Sequence, residues 1–323
     1  MLRTIFYLVL IGCLAALPTV APLLQQPALP SLIARVMIYA IAAASLNLVL
    51  GFGGMVSFGH AAFFGIGNYV VGILYVHKTQ GMPMFGFIPG TDQLLITLPA
   101  AIGVSGVLAL LIGALALRTG GVQFIMITLA FAQMLFSFFV SLNGYGGDDG
   151  IIVRNANTLF SLSLRDKTMM YYVILVLAVA YFLWLGRILK SSFGTILVGI
   201  RQNENRMMSL GIEPFRYKLL AFVLSGMGAG LAGGLMAVFM RFTSPDTLAW
   251  AKSGELLVMV ILGGVGTFIG PIWGAAAFLL LETYLASWTD HWQLVMGILL
   301  LFVVLGTKGG ITGAFSHFRK EAA

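Results

Sequence analysis

Charge is what this sequence has least of. Only 9% of its 323 residues are Asp, Glu, Lys or Arg, where soluble domains carry about a quarter. A chain so poor in charge cannot coat a water-facing surface, which excludes a soluble globular protein. Cysteine is nearly absent too: Cys13 stands alone, so neither an internal disulfide framework nor a cysteine-rich metal site is available. No segment fits Gly-x4-Gly-Lys-Ser/Thr, so the chain carries no phosphate cradle of its own. No nucleophile, base and orienting group form an evident set, which argues against an enzyme. No cofactor is implied, and a lone histidine in an apolar run offers no metal site. The short alternating segments of a transmembrane barrel are missing as well.

Apolar sequence fills the space that charge leaves. Hydrophobic residues make up 59% of the chain, and the mean hydropathy is +1.00. Apolar runs fall at about 5–24, 32–50, 55–76, 94–117, 121–142, 170–188, 217–240, 254–270, 271–288 and 291–306. Several approach the ~20 residues that span a bilayer as a helix. The expected fold is an all-α, polytopic integral membrane protein, one transmembrane domain over residues 1–323 with about eight to ten helices. Forty glycines suit helices that pack closely in lipid. At the amino end, Arg3, the run Ile5–Leu17 and Leu10-Ile11-Gly12-Cys13 imitate a secretory or lipoprotein signal; the reading preferred is an uncleaved first span.

The net charge of +7 does not point to nucleic acid, because basic residues sit at the ends of apolar runs rather than in one stripe. That is the positive-inside pattern. With Arg3 inside, alternation collects Arg118, Arg187, Lys190, Arg201, Arg206, Arg216, Lys218, Lys308, Arg319 and Lys320 on the cytoplasmic side. His77, Lys78, Arg154, Arg165, Lys167, Arg241 and Lys252 then lie outside. The run Glu255–Trp288 is too long for one span and is broken by Gly263-Gly264-Val265-Gly266 and Gly270-Pro271. Two short or re-entrant segments keep the basic carboxyl end inside, which favours ten.

Two polar interruptions are long. The loop 143–169 faces outside and holds Asp148 and Asp149. The segment 190–216 faces inside, and its residues 195–210 are expected to form one helix: Thr195 can start it, Gly211 suits a left-handed end, and Pro214 follows. Ile196, Leu197, Ile200 and Met207 fall on one side, while Arg201 to Arg206 is unbroken polar sequence. Such an element either rests on lipid headgroups or presents a charged face to a soluble partner.

Within the apolar runs, Asn47, Ser57, His60 and Asn68 are polar. They either line a pathway and its gate or tie helices together. Gly51, Gly53, Gly54, Gly59, Gly65 and Gly67 permit broken helix or plain close packing. Gly226, Gly230 and Gly234 repeat every four residues and read as a packing seam. Glu282 is deeply placed and belongs with the pathway candidates; Glu255 reads as an outer-boundary residue.

Four stretches resemble the branched-chain amino-acid ABC transporter permeases. One runs from Ser192-Phe193-Gly194-Thr195 through Gly199-Ile200-Arg201-Gln202-Asn203-Glu204-Asn205-Arg206 and Leu210-Gly211-Ile212 to Gly234. The second is Leu46-Asn47-Leu48-Val49-Leu50-Gly51-Phe52-Gly53-Gly54-Met55-Val56-Ser57-Phe58-Gly59-His60 through Tyr69. The third joins Gly121-Val122-Gln123-Phe124 and Leu129-Ala130-Phe131-Ala132-Gln133 to Gly146-Gly147-Asp148-Asp149-Gly150, and the fourth is Val260-Ile261-Leu262-Gly263-Gly264-Val265-Gly266-Thr267 through Pro271. The resemblance departs at Gly306-Thr307-Lys308-Gly309-Gly310-Ile311, where relatives often carry a proline.

The resemblance implies a bacterial inner-membrane permease that pairs with a second homologous permease, two ABC ATPase subunits and a periplasmic or surface substrate-binding protein. It implies a cytoplasmic coupling element, carried here by Gly194, Arg201, Glu204, Arg206 and Gly211. Asp148 and Asp149 could help dock the binding protein or simply form a solvated turn. Leu, Ile and Val are the implied substrates; urea or short-chain amides are the alternative, because permeases for those are close relatives. An ion-coupled secondary transporter is the second alternative, though charged mid-membrane groups are sparse.

Overall fold

A computed structural model describes residues 12–20, 28–81, 83, 89–154, 157–159, 162–163, 166–289, 291–306 and 309–313. Arg3, Arg165, Thr307, Lys308, Arg319 and Lys320, with the start of the first apolar run, lie outside them. Residues 12–20 are helical, and the long helices follow: α1 Leu29–Asn47, extended by a π-helical turn Leu48–Phe52, α2 His60–Gln80, α3 Leu94–Ala116, α4 Val122–Ser141, α5 Lys167–Lys190 and α8 Pro214–Met240. Between α5 and α8 stand the short helices α6 Ser192–Gln202 and α7 Glu204–Ser209. The carboxyl-side helices are α9 Trp250–Gly263, α10 Gly270–Trp288 and α11 Trp292–Gly306. Among the described residues, five stretches, Leu29–Phe52, Leu94–Ala116, Val122–Ser141, Lys167–Lys190 and Pro214–Met240, are long and apolar enough to cross a membrane. The protein is an all-α, multi-pass membrane protein, and the run Glu255–Trp288 is divided between α9 and α10 by a turn at 264–269.

α8 is the axis of the bundle, and its small residues explain how. A Cβ at Gly226 would collide with Ala109 of α3, and one at Gly230 with Ser105. On another side, Gly233 meets the Phe64 carbonyl of α2, and Gly67 of α2 meets the backbone of Gly230. Without a hydrophobic driving force between helices in lipid, such backbone approach supplies the dispersion contacts that hold them. α3, α4 and α5 turn Leu95, Val107, Leu111, Met126, Phe138, Val176 and Leu183 outward, as a lipid-facing surface requires.

The two ends differ. At one, Lys78 pairs with Asp92 at 2.5 Å, and a two-residue ribbon joins β1 Ile151–Ile152 to β4 Phe242–Thr243. A second small hairpin pairs β2 Thr158–Leu159 with β3 Leu162–Ser163. At the other end lie α6, α7 and the 264–269 turn.

The single helix expected over 195–210 is instead two. α6 begins at Ser192, and Asn203 breaks the chain with φ −157° and ψ 101°. Its side-chain oxygen accepts from the Arg206 N–H at 2.9 Å, capping α7. Asparagine competes for backbone donors in this way, which is why it starts helices better than it continues them. Gly211 closes α7 at φ +80°.

Candidate functional site

At the α6 end, three interruptions of regular helix meet. Asn47, the last residue of α1, accepts from the Gly266 N–H at 2.9 Å and donates to the Thr267 carbonyl at 2.8 Å. Arg201 of α6 donates through Nη1 to the Gly51 carbonyl in the π-helical turn, and its stem covers Gly54. Thr312 donates to the Gly263 carbonyl at 2.8 Å, and Thr267 to that of Gly264 at 2.7 Å. Broken helices leave orphan carbonyls and N–H groups that lipid cannot satisfy. Here side chains satisfy them, one of which belongs to α6. The carboxylate of Glu204 binds Lys218 of α8 at 2.7 Å, and Glu213 binds Arg216 at 2.6 Å. Gly194 lies against the Leu189 backbone; a Cβ at Gly211 would meet open space, and Arg206 is exposed.

Deeper in the bundle, α2 starts inside the protein rather than at its surface. Three elements satisfy its first donors. Ser57 Oγ accepts from the Gly59 N–H at 3.2 Å, Thr128 Oγ1 from that of Phe58 at 3.3 Å, and Ser253 Oγ from that of Ala61 at 2.8 Å. His60 Nε2 lies 2.7 Å from Ser225 Oγ, which itself donates to the Ser45 carbonyl. The serine proton is committed, so the imidazole must be the Nε2–H tautomer. Its Nδ1 is buried without a partner, and so are both side-chain polar atoms of Asn68.

The five pathway candidates therefore do not form one cluster. Asn47 is saturated by the turn at 266–267, Ser57 by the start of α2, and Glu282 pairs with Arg35 at 2.8 Å. His60 and Asn68 keep unused polar atoms.

A further charged group was not legible as a unit. Lys252 and Glu255 of α9 pair at 2.6 Å. Tyr39 carries the Lys252 ammonium 5.5 Å and the Arg35 guanidinium carbon 5.8 Å from its ring centroid. The tyrosine is buried and stacks on Phe64 at 5.9 Å. Sequence reading sets Lys252 outside and Glu255 at the outer boundary; the structure packs the half-buried Lys252 against the buried Tyr39 of α1. The chain after β4 descends along α2: Thr243 lies against Gly72, Leu248 against Gly65, and Ser253 bonds Ala61. From Gly72 to Ala61 is about 16 Å of helix. Arg35 carried a readable signal, a charge inside the apolar stretch Leu29–Phe52.

A bundle of membrane-crossing helices with interrupted segments and polar groups at depth is the architecture of a transport permease. The family profile of the branched-chain amino acid transport system permease component matches residues 29–304, and the chain belongs to that family. It is similar to the high-affinity branched-chain amino acid transport permease LivM of Salmonella typhimurium, 27% identical over 85% of this chain and 68% of the relative. It is similar to LivM of Escherichia coli, 25% identical with the same coverage. The autoinducer 2 import permease LsrC of Yersinia enterocolitica is 27% identical over 68% of this chain and 56% of its own length. No solved structure gives a significant match. The family is a transport component, not an enzyme.

Proposed function

We propose that this chain is the transmembrane permease subunit of an ATP-driven ABC importer for leucine, isoleucine and valine in the bacterial cytoplasmic membrane. It works beside a second homologous permease. Two ABC ATPase subunits dock on α6 and α7, through Gly194, Arg201, Glu204, Arg206 and Gly211, and a periplasmic or surface binding protein delivers substrate to the end that carries the ribbon. His60, Asn68 and Glu282 belong to the solute path, with Asn47 and Ser57 holding its walls. The observation that carries this reading is the Arg201–Gly51 bond. It joins a short polar element at the bundle's end to helix interruptions in the core, so force on α6 has a route inward. The names of the LivM relatives support the substrate; the likeness to a xylose transport permease of Haemophilus influenzae supports a sugar as the second reading.

The test is reconstitution of the complete importer in vesicles, followed by uptake of labelled leucine, urea and xylose. Leucine should accumulate uphill only with ATP on the α6 side. Uphill accumulation without any ATPase subunit ends the coupling reading, and uptake of urea or xylose in place of leucine ends the substrate reading.

A further inference from the structure

We propose that Arg35, Glu282, Lys252 and Glu255, gathered around Tyr39, form a station that binds the solute as a zwitterion, one carboxylate and one ammonium on the same small molecule. The proposal rests on the transport reading and specifies how the substrate is recognised.

Position comes first. The segment 243–253 descends beside α2, so Lys252 sits at the depth of Tyr39 and Phe64, well below the ribbon. Charges at such depth are costly in a bilayer and face a bundle interior or a watered cavity. The four side chains are 20–31% exposed, so none is sealed away in the core.

Chemistry comes second. Each pair is neutral, and the two together present two cations and two carboxylates about one aromatic ring. Arg35 spends Nη2 on Glu282, and the planar guanidinium fork that now holds this carboxylate is the one that a solute carboxylate would take in its place. A solute carboxylate that reaches Arg35 frees Glu282 for the solute ammonium. The exchange conserves charge and leaves no ion unpaired. A solute with only one charge strands a partner at depth, which is strongly unfavourable. An uncharged amide lacks a charge to exchange. The array thus selects amino acids against urea, and against the carboxylic acid or amine of the same carbon skeleton.

The experiment uses the complete importer in vesicles, and the permease pair in nanodiscs for direct binding of leucine, isovalerate, isoamylamine and urea. Two doubly substituted forms are compared: the swap Arg35→Glu with Glu282→Arg, and the neutral Arg35→Gln with Glu282→Gln, the latter covering the case that the swap does not fold. Leucine should bind at least about tenfold more tightly than either singly charged analogue. Both variants should assemble and melt as the parent does, yet lose leucine uptake by about tenfold or more. A pair that merely ties α1 to α10 would survive the swap. Wild-type uptake by the swapped protein overturns the station, as does equal binding of isovalerate or isoamylamine. With labelled alanine added to the uptake assay, transport of alanine but not leucine sinks the branched-chain reading and leaves the station intact; transport of urea or xylose alone sinks both.

Discussion

Arg201, on α6, donates to the carbonyl of Gly51, in the π-helical turn that ends α1. The bond joins the polar module between α5 and α8 to the place where the first long described helix leaves its regular course. Asn47, one turn earlier, then joins that same helix to the turn at 266–267. α6 is therefore bonded to the interrupted end of α1 and, through Asn47, connected to the turn between α9 and α10.

Arg201→Met keeps much of the stem but loses the donor. A hydrogen bond from a charged group contributes about 1.5–3 kcal/mol, so ATP-driven uptake should fall by about tenfold or more while membrane insertion is unchanged. The ratio of solute moved to ATP hydrolysed is the measurement. An unchanged ratio would remove Arg201 from the coupling route.

Glu204→Lys should abolish uptake without affecting insertion. Its ion pair with Lys218 is exposed, and such pairs contribute about 0–1 kcal/mol, too little to explain total loss. The double variant Glu204→Lys with Lys218→Glu restores the pair and should remain inactive, because the proposed ATPase contact would meet the wrong charge. Full recovery in an uptake assay would make Glu204 a purely internal tether.

Asn47→Leu removes both partners of the 266–267 turn. Leaving a buried donor or acceptor unmet costs about 1–3 kcal/mol each. Hydrogen exchange at Gly266 should accelerate by about tenfold or more, with α3 and α4 unaffected. Equal protection of Gly266 in both proteins would show that the turn holds without Asn47.

Gly233→Ala places a methyl on the Phe64 carbonyl, and overpacking of this kind costs about 1–3 kcal/mol. The variant should melt lower in detergent and populate less folded protein. Gly103→Ala is the control, since nothing lies within 4 Å of that Cβ position; in a helix it should be neutral or stabilising. Equal melting of the two variants would refute the α2–α8 contact as a limit on side-chain size.

The membrane-crossing helices were legible because an apolar run of about 20 residues is a local property. The break between α9 and α10 was legible for the same reason, in Gly263-Gly264-Val265-Gly266 and Gly270-Pro271. The division of the 195–210 segment was not: Asn203 reads as one more polar residue until its side chain is seen on the Arg206 N–H. Nor could the pathway candidates be sorted. Asn47 and Asn68 look alike in sequence, yet one is saturated and the other keeps every side-chain polar atom unpaired.

By itself the order of residues determined that this is a helical membrane protein and which family it belongs to, since hydropathy and short motifs are written along the chain. Only the tertiary structure decided the depth of Lys252, the sharing of Tyr39 by two cations and the reach of Arg201 to Gly51. Those depend on segments far apart in sequence meeting in space, and on how far the 243–253 stretch sinks beside α2 before α9 begins.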